Sequence, residues 1–256
     1  MGASSGMGKE LAQLFYDAGW TVGIAARRID CLNKWREENL HRNFSASNGS
    51  QARASTIYTA QIDVCSDGAP TQLLDLIERM GGVDLYLHVS GVGKINQELE
   101  EDIELNTVNT NGMGFVRMVG AAYKYMAAHG GGHIAVVSSI AGTKGLGPAP
   151  AYSATKSMQN IYIQSLEQLA NSRKLNIKFT DLRPGFVDTP LLNGGSYPLM
   201  MNQKMVATKM FHAILRHDHV RVIDWRWSVL VALWKLVPNW IWRRIPLKRW
   251  FIRLFE

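Results

Sequence analysis

Short apolar runs alternate with helical stretches along most of this 256-residue chain, and that alternation constrains the fold more than any single motif does. Residues 21–26 (TVGIAA), 56–62, 83–89, 133–138 (HIAVVS), 176–182 (NIKFTDL) and 219–223 read as strands, bounded by glycine, proline or polar residues. Residues 30–41, 69–80, 103–128, the segment around Tyr152 and 206–215 read as helices, and residues 43–55 as a polar loop. Strand and helix in turn imply an α/β fold, a three-layer, doubly wound parallel sheet. Right-handed crossovers then bring the loops after successive strands to one edge. An apolar content of 46% with 19% charged residues excludes disorder, and no linker divides the chain. Composition shifts only near the end, so the expected organisation is a domain over residues 1–223 and an aromatic, basic extension over 224–256.

Before the first helical pattern (Leu11, Leu14, Phe15, Ala18) stands Gly2-Ala-Ser4-Ser5-Gly6-Met7-Gly8. Glycines let a backbone approach closely, and a helix N-terminus offers free N–H groups and a positive dipole end, so this loop suits a phosphate. In a dinucleotide fold such a loop is delivered by a central strand, yet only Met1 precedes it. The expectation is that the first strand is missing and that the natural chain begins upstream. After residues 21–26 come Arg27 and Arg28, where the adenosine ribose of a bound dinucleotide would lie. Arginine there favours a 2′-phosphate and hence NADP over NAD; a solvated pair at a helix start is the alternative. Asp63-Val64 closes the third run, with Asp63 placed to cap the turn after it or to touch adenine. Ser90-Gly91-Val92-Gly93 is a second small-residue turn at a strand end.

The stretch 138–156 carries the chemistry. Ser139 ends a buried strand, and Tyr152 and Lys156 lie one helical turn apart on one face. A cation beside a phenol lowers its pKa from about 10, which makes Tyr152 a candidate general acid near neutral pH. A lone Tyr-x3-Lys is equally what an exposed amphipathic helix carries, so the surroundings decide. Asn106, Asn109 and Asn111 interrupt the helical stretch 103–128; asparagine is a poor helix former, so at least one of them bonds to something specific. Pro184 and Gly185 fix a turn on the same sheet edge. Residues 191–203, rich in Gly and Met, suit either an apolar lid or a plain surface loop.

With the glycine loop, Ser139, Tyr152-x3-Lys156 and the Pro184-Gly185 turn in this order, residues 2–223 resemble the short-chain dehydrogenase/reductase family. The resemblance implies a Rossmann-type fold and hydride transfer between a nicotinamide and a carbonyl or alcohol. It marks Tyr152 as proton donor, Lys156 as the residue that lowers its pKa and holds the ribose, Ser139 as the group orienting the substrate oxygen, and Asn111 as the relay asparagine. Gly2, Ser4, Ser5, Gly6 and Met7 match the pyrophosphate loop, Arg27 the 2′-phosphate site, Asp63 and Val64 the adenine contacts. Val187 and Thr189 match contacts to the carboxamide, while Ser90, Gly91, Pro184 and Gly185 stand on the same cofactor edge. The family's Asn-Asn-Ala-Gly is His88-Val89-Ser90-Gly91 here, which keeps the glycine and loses both amides.

Cys31 and Cys65 form neither a disulfide framework nor a metal spacing, which fits a reducing compartment, the cytoplasm, and no metal site. Much of the net charge of +7 lies near the C-terminus, among Trp225, Trp227, Trp234, Trp240, Trp242 and Trp250. Leu247, Trp250, Phe251 and Leu254 fall on one helical face, with Lys248, Arg249 and Arg253 away from it. Basic residues with interfacial tryptophans suit a segment lying on a membrane; packing on the domain or across a homo-oligomer is the alternative. No nucleic-acid motif accompanies the charge. The expected activity is therefore an NADP-dependent oxidoreductase for a hydrophobic carbonyl, with a cofactor-binding protein without turnover as the alternative.

Overall fold

The computed structural model describes residues 1–46, 56–192 and 197–246. Most of the polar loop read over 43–55, part of the lid segment and the face read over 247–254 lie outside the described residues. The elements follow in the order α1 (Gly6–Asp17), β1 (Val22–Ala26), α2 (Ile29–Ala46), β2 (Ile57–Gln61), α3 (Ala69–Arg79), β3 (Leu85–His88) and α4 (Glu101–Val108). A π-helical turn, Asn109–Gly114, then leads into α5 (Phe115–Ala128), β4 (Gly132–Val137), α6 (Pro150–Ser172), β5 (Ile177–Pro184), α7 (Gln203–Leu215), β6 (Val220–Ile223), α8 (Trp225–Leu236) and α9 (Asn239–Trp242).

All strand pairs are parallel, as the alternation demands. β4 shows why: Ile134 and Val136 enter one core cluster and Ala135 and Val137 another, so its two-residue period is buried on both faces. On one face, α5 repeats Phe115, Met118, Val119, Ala122 and Met126 at helical spacing and packs with α3 and α6. On the other, α1 and α7 meet Leu182 of β5 and Ile223 of β6. Helix α7 starts after Asn202, whose side chain accepts from the Lys204 and Met205 amides and so caps the helix three residues earlier than apolar spacing alone suggests.

The sheet is in two pieces, β1-β2 and β3-β4-β5-β6. Between β1 and β3 lies a cavity of about 600 Å³ lined by Ile24, Leu76, Met80, Leu85 and Leu87 among others. Its end is bridged: the Met1 amine donates to the Leu87 carbonyl (2.8 Å), Val89 N–H to the Met1 carbonyl (3.0 Å), and Gly2 and Ala3 N–H to the Ala25 carbonyl (2.8 and 3.3 Å).

Beyond β6, α8 inserts Trp227, Val231 and Trp234 into the same core cluster as α1 and α7, and Trp242 joins it. Trp234 donates to Thr143 Oγ1 (2.9 Å), Trp242 to the Gly145 carbonyl (2.7 Å), and Lys144 to Val237 and Asn239 (2.9 and 2.8 Å). Indole N–H groups and a lysine thus tie the extension to the loop between β4 and α6.

Candidate active site

β4 delivers two adjacent serines, and the strand's alternation separates their surroundings. Ser138 donates to the Asp181 carboxylate on β5, beside its backbone partner Leu182. Ser139 points the other way: its Oγ accepts from Ala141 N–H (3.1 Å), capping a short 3-10 turn at Ile140–Gly142, and hydrogen-bonds Tyr152. Tyr152 and Lys156 both come from the N-terminal half of α6, with Lys156 Nζ 5.7 Å from the Tyr152 ring centroid. Ser139, Tyr152 and Lys156 are thus brought together.

Their electrostatics differ from the expectation. Burial raises the Tyr152 pKa, and the hydrogen bond to Ser139 only opposes that rise. Burial also lowers Lys156 to about 8, with Asp181 pulling in the opposite direction. In the chain alone the field of the ammonium therefore does not win, because desolvation acts on both partners.

Of the three asparagines, Asn111 is fully buried and makes the specific bonds: its Nδ2 donates to the Val92 carbonyl (2.7 Å) and its Oδ1 accepts from Val92 N–H (2.8 Å). It sits in the π-helical turn, a widened turn of the kind that often marks functional sites. Two residues that bond into this group carry no signal in the sequence. Gln159, fully buried, donates to the Asn111 carbonyl and accepts from Lys156; Asp181 faces Ser138 only because β4 and β5 pair Val136 with Asp181.

Beside this group a cavity of about 500 Å³ opens at the carboxyl ends of β1, β2 and β3. Gly2, Ser4, Ser5, Gly6, Met7, Arg27, Asp63, Val64, Ser90, Gly91 and Thr189 line it. Tyr152, Lys156, Pro184, Gly185 and Val187 are not in that wall. Pro184 ends β5 with its carbonyl 3.5 Å from Ser139 Oγ, Gly185 packs flat where a Cβ would overlap the Trp227 indole, and Val187 is buried and bridged to Met201. The cavity fits a dinucleotide on this chain's own terms. Gly2 has φ +86, and a Cβ there would stand 2.7 Å from Ser90 N, so only glycine lets the two turns close on each other. The N-terminus of the 12-residue α1 opens onto the same wall. The arginine bonded to the loop is Arg28, whose guanidinium donates to Ser4 and Ser5 hydroxyls (3.0 and 2.8 Å); Arg27 is exposed beside it. Asp63 Oδ1 accepts from Cys65 N–H (3.1 Å), so it caps its own turn while lining the cavity.

A family model described as short chain dehydrogenase matches residues 1–196. The chain belongs to the short-chain dehydrogenase/reductase family. An oxidoreductase of uncharacterised specificity from Myxococcus xanthus is 28% identical over 93% of this chain and 91% of its own length. Two solved structures share the fold. An alcohol dehydrogenase from Thermococcus sibiricus, complexed with 5-hydroxy-NADP, superposes with a TM-score of 0.71 at 22% identity, covering 87% of this chain and 93% of that one. A short-chain dehydrogenase/reductase from Burkholderia phymatum, in complex with NAD, gives 0.76 at 17%, covering 91% and 90%. The family is one of oxidoreductases that use a nicotinamide dinucleotide, and these neighbours hold both the phosphorylated and the unphosphorylated form.

Proposed function

We propose that this chain is an NADP(H)-dependent reductase of a hydrophobic carbonyl compound, working at a membrane face. The observation that carries the reading is the hydrogen-bonded Ser139–Tyr152 pair with Lys156 over the phenol, next to a glycine-lined cavity of dinucleotide size. The bound dinucleotide supplies the hydride. Ser139 and Tyr152 hold the carbonyl oxygen, and Tyr152 gives it the proton. Lys156 keeps positive charge behind the phenol, which stabilises the phenolate left after that transfer. Asn111 fixes the turn after β3 through Val92. Arg27 and Arg28 at the end of β1 support the 2′-phosphate, hence NADP.

Residues 224–256 are read as a peripheral lipid contact. They hold seven of the 28 Lys and Arg and two of the 21 Asp and Glu, so five of the seven net positive charges are theirs. On α8 and α9, Trp225, Val229, Leu233, Leu236 and Trp240 form an exposed apolar stripe opposite the buried Trp227, Val231 and Trp234. Among the described residues no helix is long and apolar enough to cross a membrane, so the stripe would lie in the interface. A lipid surface beside the β4–α6 loop supports a hydrophobic substrate.

Oxidation of NADPH in the presence of a panel of ketones and acyl-carbonyls tests the reading. Tyr152→Phe is expected to reduce turnover by a factor of about 100 or more, the range for removing a general acid. Turnover unchanged in that variant would sink the mechanism. A second reading is cofactor binding without turnover, favoured by the burial that holds the Tyr152 phenol above its ordinary pKa; NADPH bound but not consumed across the panel would support it.

A further inference from the structure

Gln159 belongs to none of the roles assigned above, yet it is fully buried and touches two of the groups they use. Its Nε2 donates to the main-chain carbonyl of Asn111 (2.8 Å), and its Oε1 accepts from Lys156 Nζ (3.0 Å). The amide can stand only this way round. A flip would set N–H against ammonium and oxygen against carbonyl oxygen, losing both bonds. The residue lies three positions after Lys156, so α6 itself places the amide beside the ammonium.

We propose that Gln159 is a positioning residue for the catalytic pair, holding the Lys156 ammonium in its charged form and tying it to the asparagine turn. The role rests on the hydride-transfer reading of the site. A hydrogen bond from an ammonium to an amide oxygen is stronger than one from a neutral amine, so the Gln159 oxygen favours the protonated lysine. It works with the Val137 carbonyl on β4, which accepts from the same ammonium at 3.1 Å. Other groups act on Lys156 from the elements around it. Burial opposes the charge, Asp181 on β5 favours it, the ammonium in turn helps to lower the His88 pKa on β3, and Tyr152 stands on the same helix. Gln159 also gives the lysine and Asn111 a common anchor, so a displacement of the π-helical turn is felt at Lys156.

Two substitutions separate the two bonds. Gln159→Leu removes both. Gln159→Glu keeps an acceptor, now charged, beside Lys156 but turns an oxygen toward the Asn111 carbonyl. The first readout needs no turnover: urea unfolding from pH 6.5 to 10.5, each variant compared with its Lys156→Met counterpart to isolate the lysine. Lys156 titrates at about 8 when folded, against about 10.4 for a free lysine. The unfolded chain therefore binds more protons within that window, and stability rises as pH goes up through it. Gln159→Leu is expected to move the lower edge of the window down by about one unit, and Gln159→Glu to move it up by about one unit or more. The alkaline limb of NADPH-dependent ketone reduction should move with it. A residue that only filled space would change the midpoint of unfolding and leave both edges where they are. Edges unmoved in both variants would overturn the proposal; if the leucine variant does not fold, an unmoved edge in the glutamate variant overturns it alone. Edges that move in a protein that reduces no ketone would leave Gln159 in its role and remove the hydride-transfer reading.

Discussion

Arg28 and Arg27 are neighbours in sequence, but it is Arg28 that is held against the glycine loop, by the hydroxyls of Ser4 and Ser5. A guanidinium already oriented there loses little freedom on meeting a phosphate. Arg28→Ala is therefore expected to weaken NADPH binding about tenfold or more and NADH binding by less than about threefold, read by quenching of intrinsic tryptophan fluorescence; equal losses for both cofactors would remove the argument for a 2′-phosphate. At this scale the sequence is informative where one motif places several groups. Ser139, Tyr152 and Lys156 are fixed by a strand end and one helical turn, so spacing finds them. The bonds of Arg28 to the glycine loop, and of Gln159 to Lys156 and Asn111, escape it, because these partners are chosen by how β1 abuts α1 and how α6 abuts the π-helical turn. The phenol's pKa is misjudged from sequence for a related reason: spacing reveals the nearby cation, while the desolvation that outweighs it is a property of the packed site.

Elements are legible wherever their apolar period is clean, as in β4 and α5. The stretch 103–128 reads as one helix, since a π-helical turn adds a residue without disturbing polarity enough to show, and the asparagines are the only trace of the break. Pairing between elements brings together groups that no local pattern links. His133 on β4 bonds Thr180 on β5 through Nε2 (2.9 Å) and faces His217 Nδ1 at 3.3 Å. Burial first, then the neighbouring His217 and Lys178, lower its pKa to about 4. A free histidine takes its proton near 6.5, so below that pH the unfolded chain binds more protons, and stability present above 6.5 is lost as pH falls toward 4. The loss from this one group is at most about 3 kcal/mol. Urea unfolding at pH 7.0 and 4.5 should show His133→Gln with a smaller drop than the parent. Part of the drop will remain, because buried His88 is also held well below its ordinary value.

For the whole molecule, the question is how the extension relates to the domain. A boundary near residue 224 is visible in composition, yet α8 enters the core through Trp227, Val231 and Trp234 and bonds the loop before α6. Composition records the exposed stripe and the basic residues; it does not record which face is buried. If the stripe meets lipid, the chain should float with vesicles containing anionic phospholipid and less with neutral ones, because the tail's charge adds to apolar burial. Trp225→Ser with Leu233→Ser, both on the exposed face, should abolish flotation while leaving the core intact. Flotation equal to the parent would exclude the stripe, and a concentration-dependent rise in mass in solution would assign it to a second copy.

Ala26, Arg27, Asp63 and Val64 reach the 500 Å³ cavity from one piece of the sheet, Ser90 and Gly91 from the other. Whatever fills that cavity touches both. Binding energy would then be shared between recognising the ligand and holding the walls of its cavity together, so occupancy adds to the chain's resistance to unfolding.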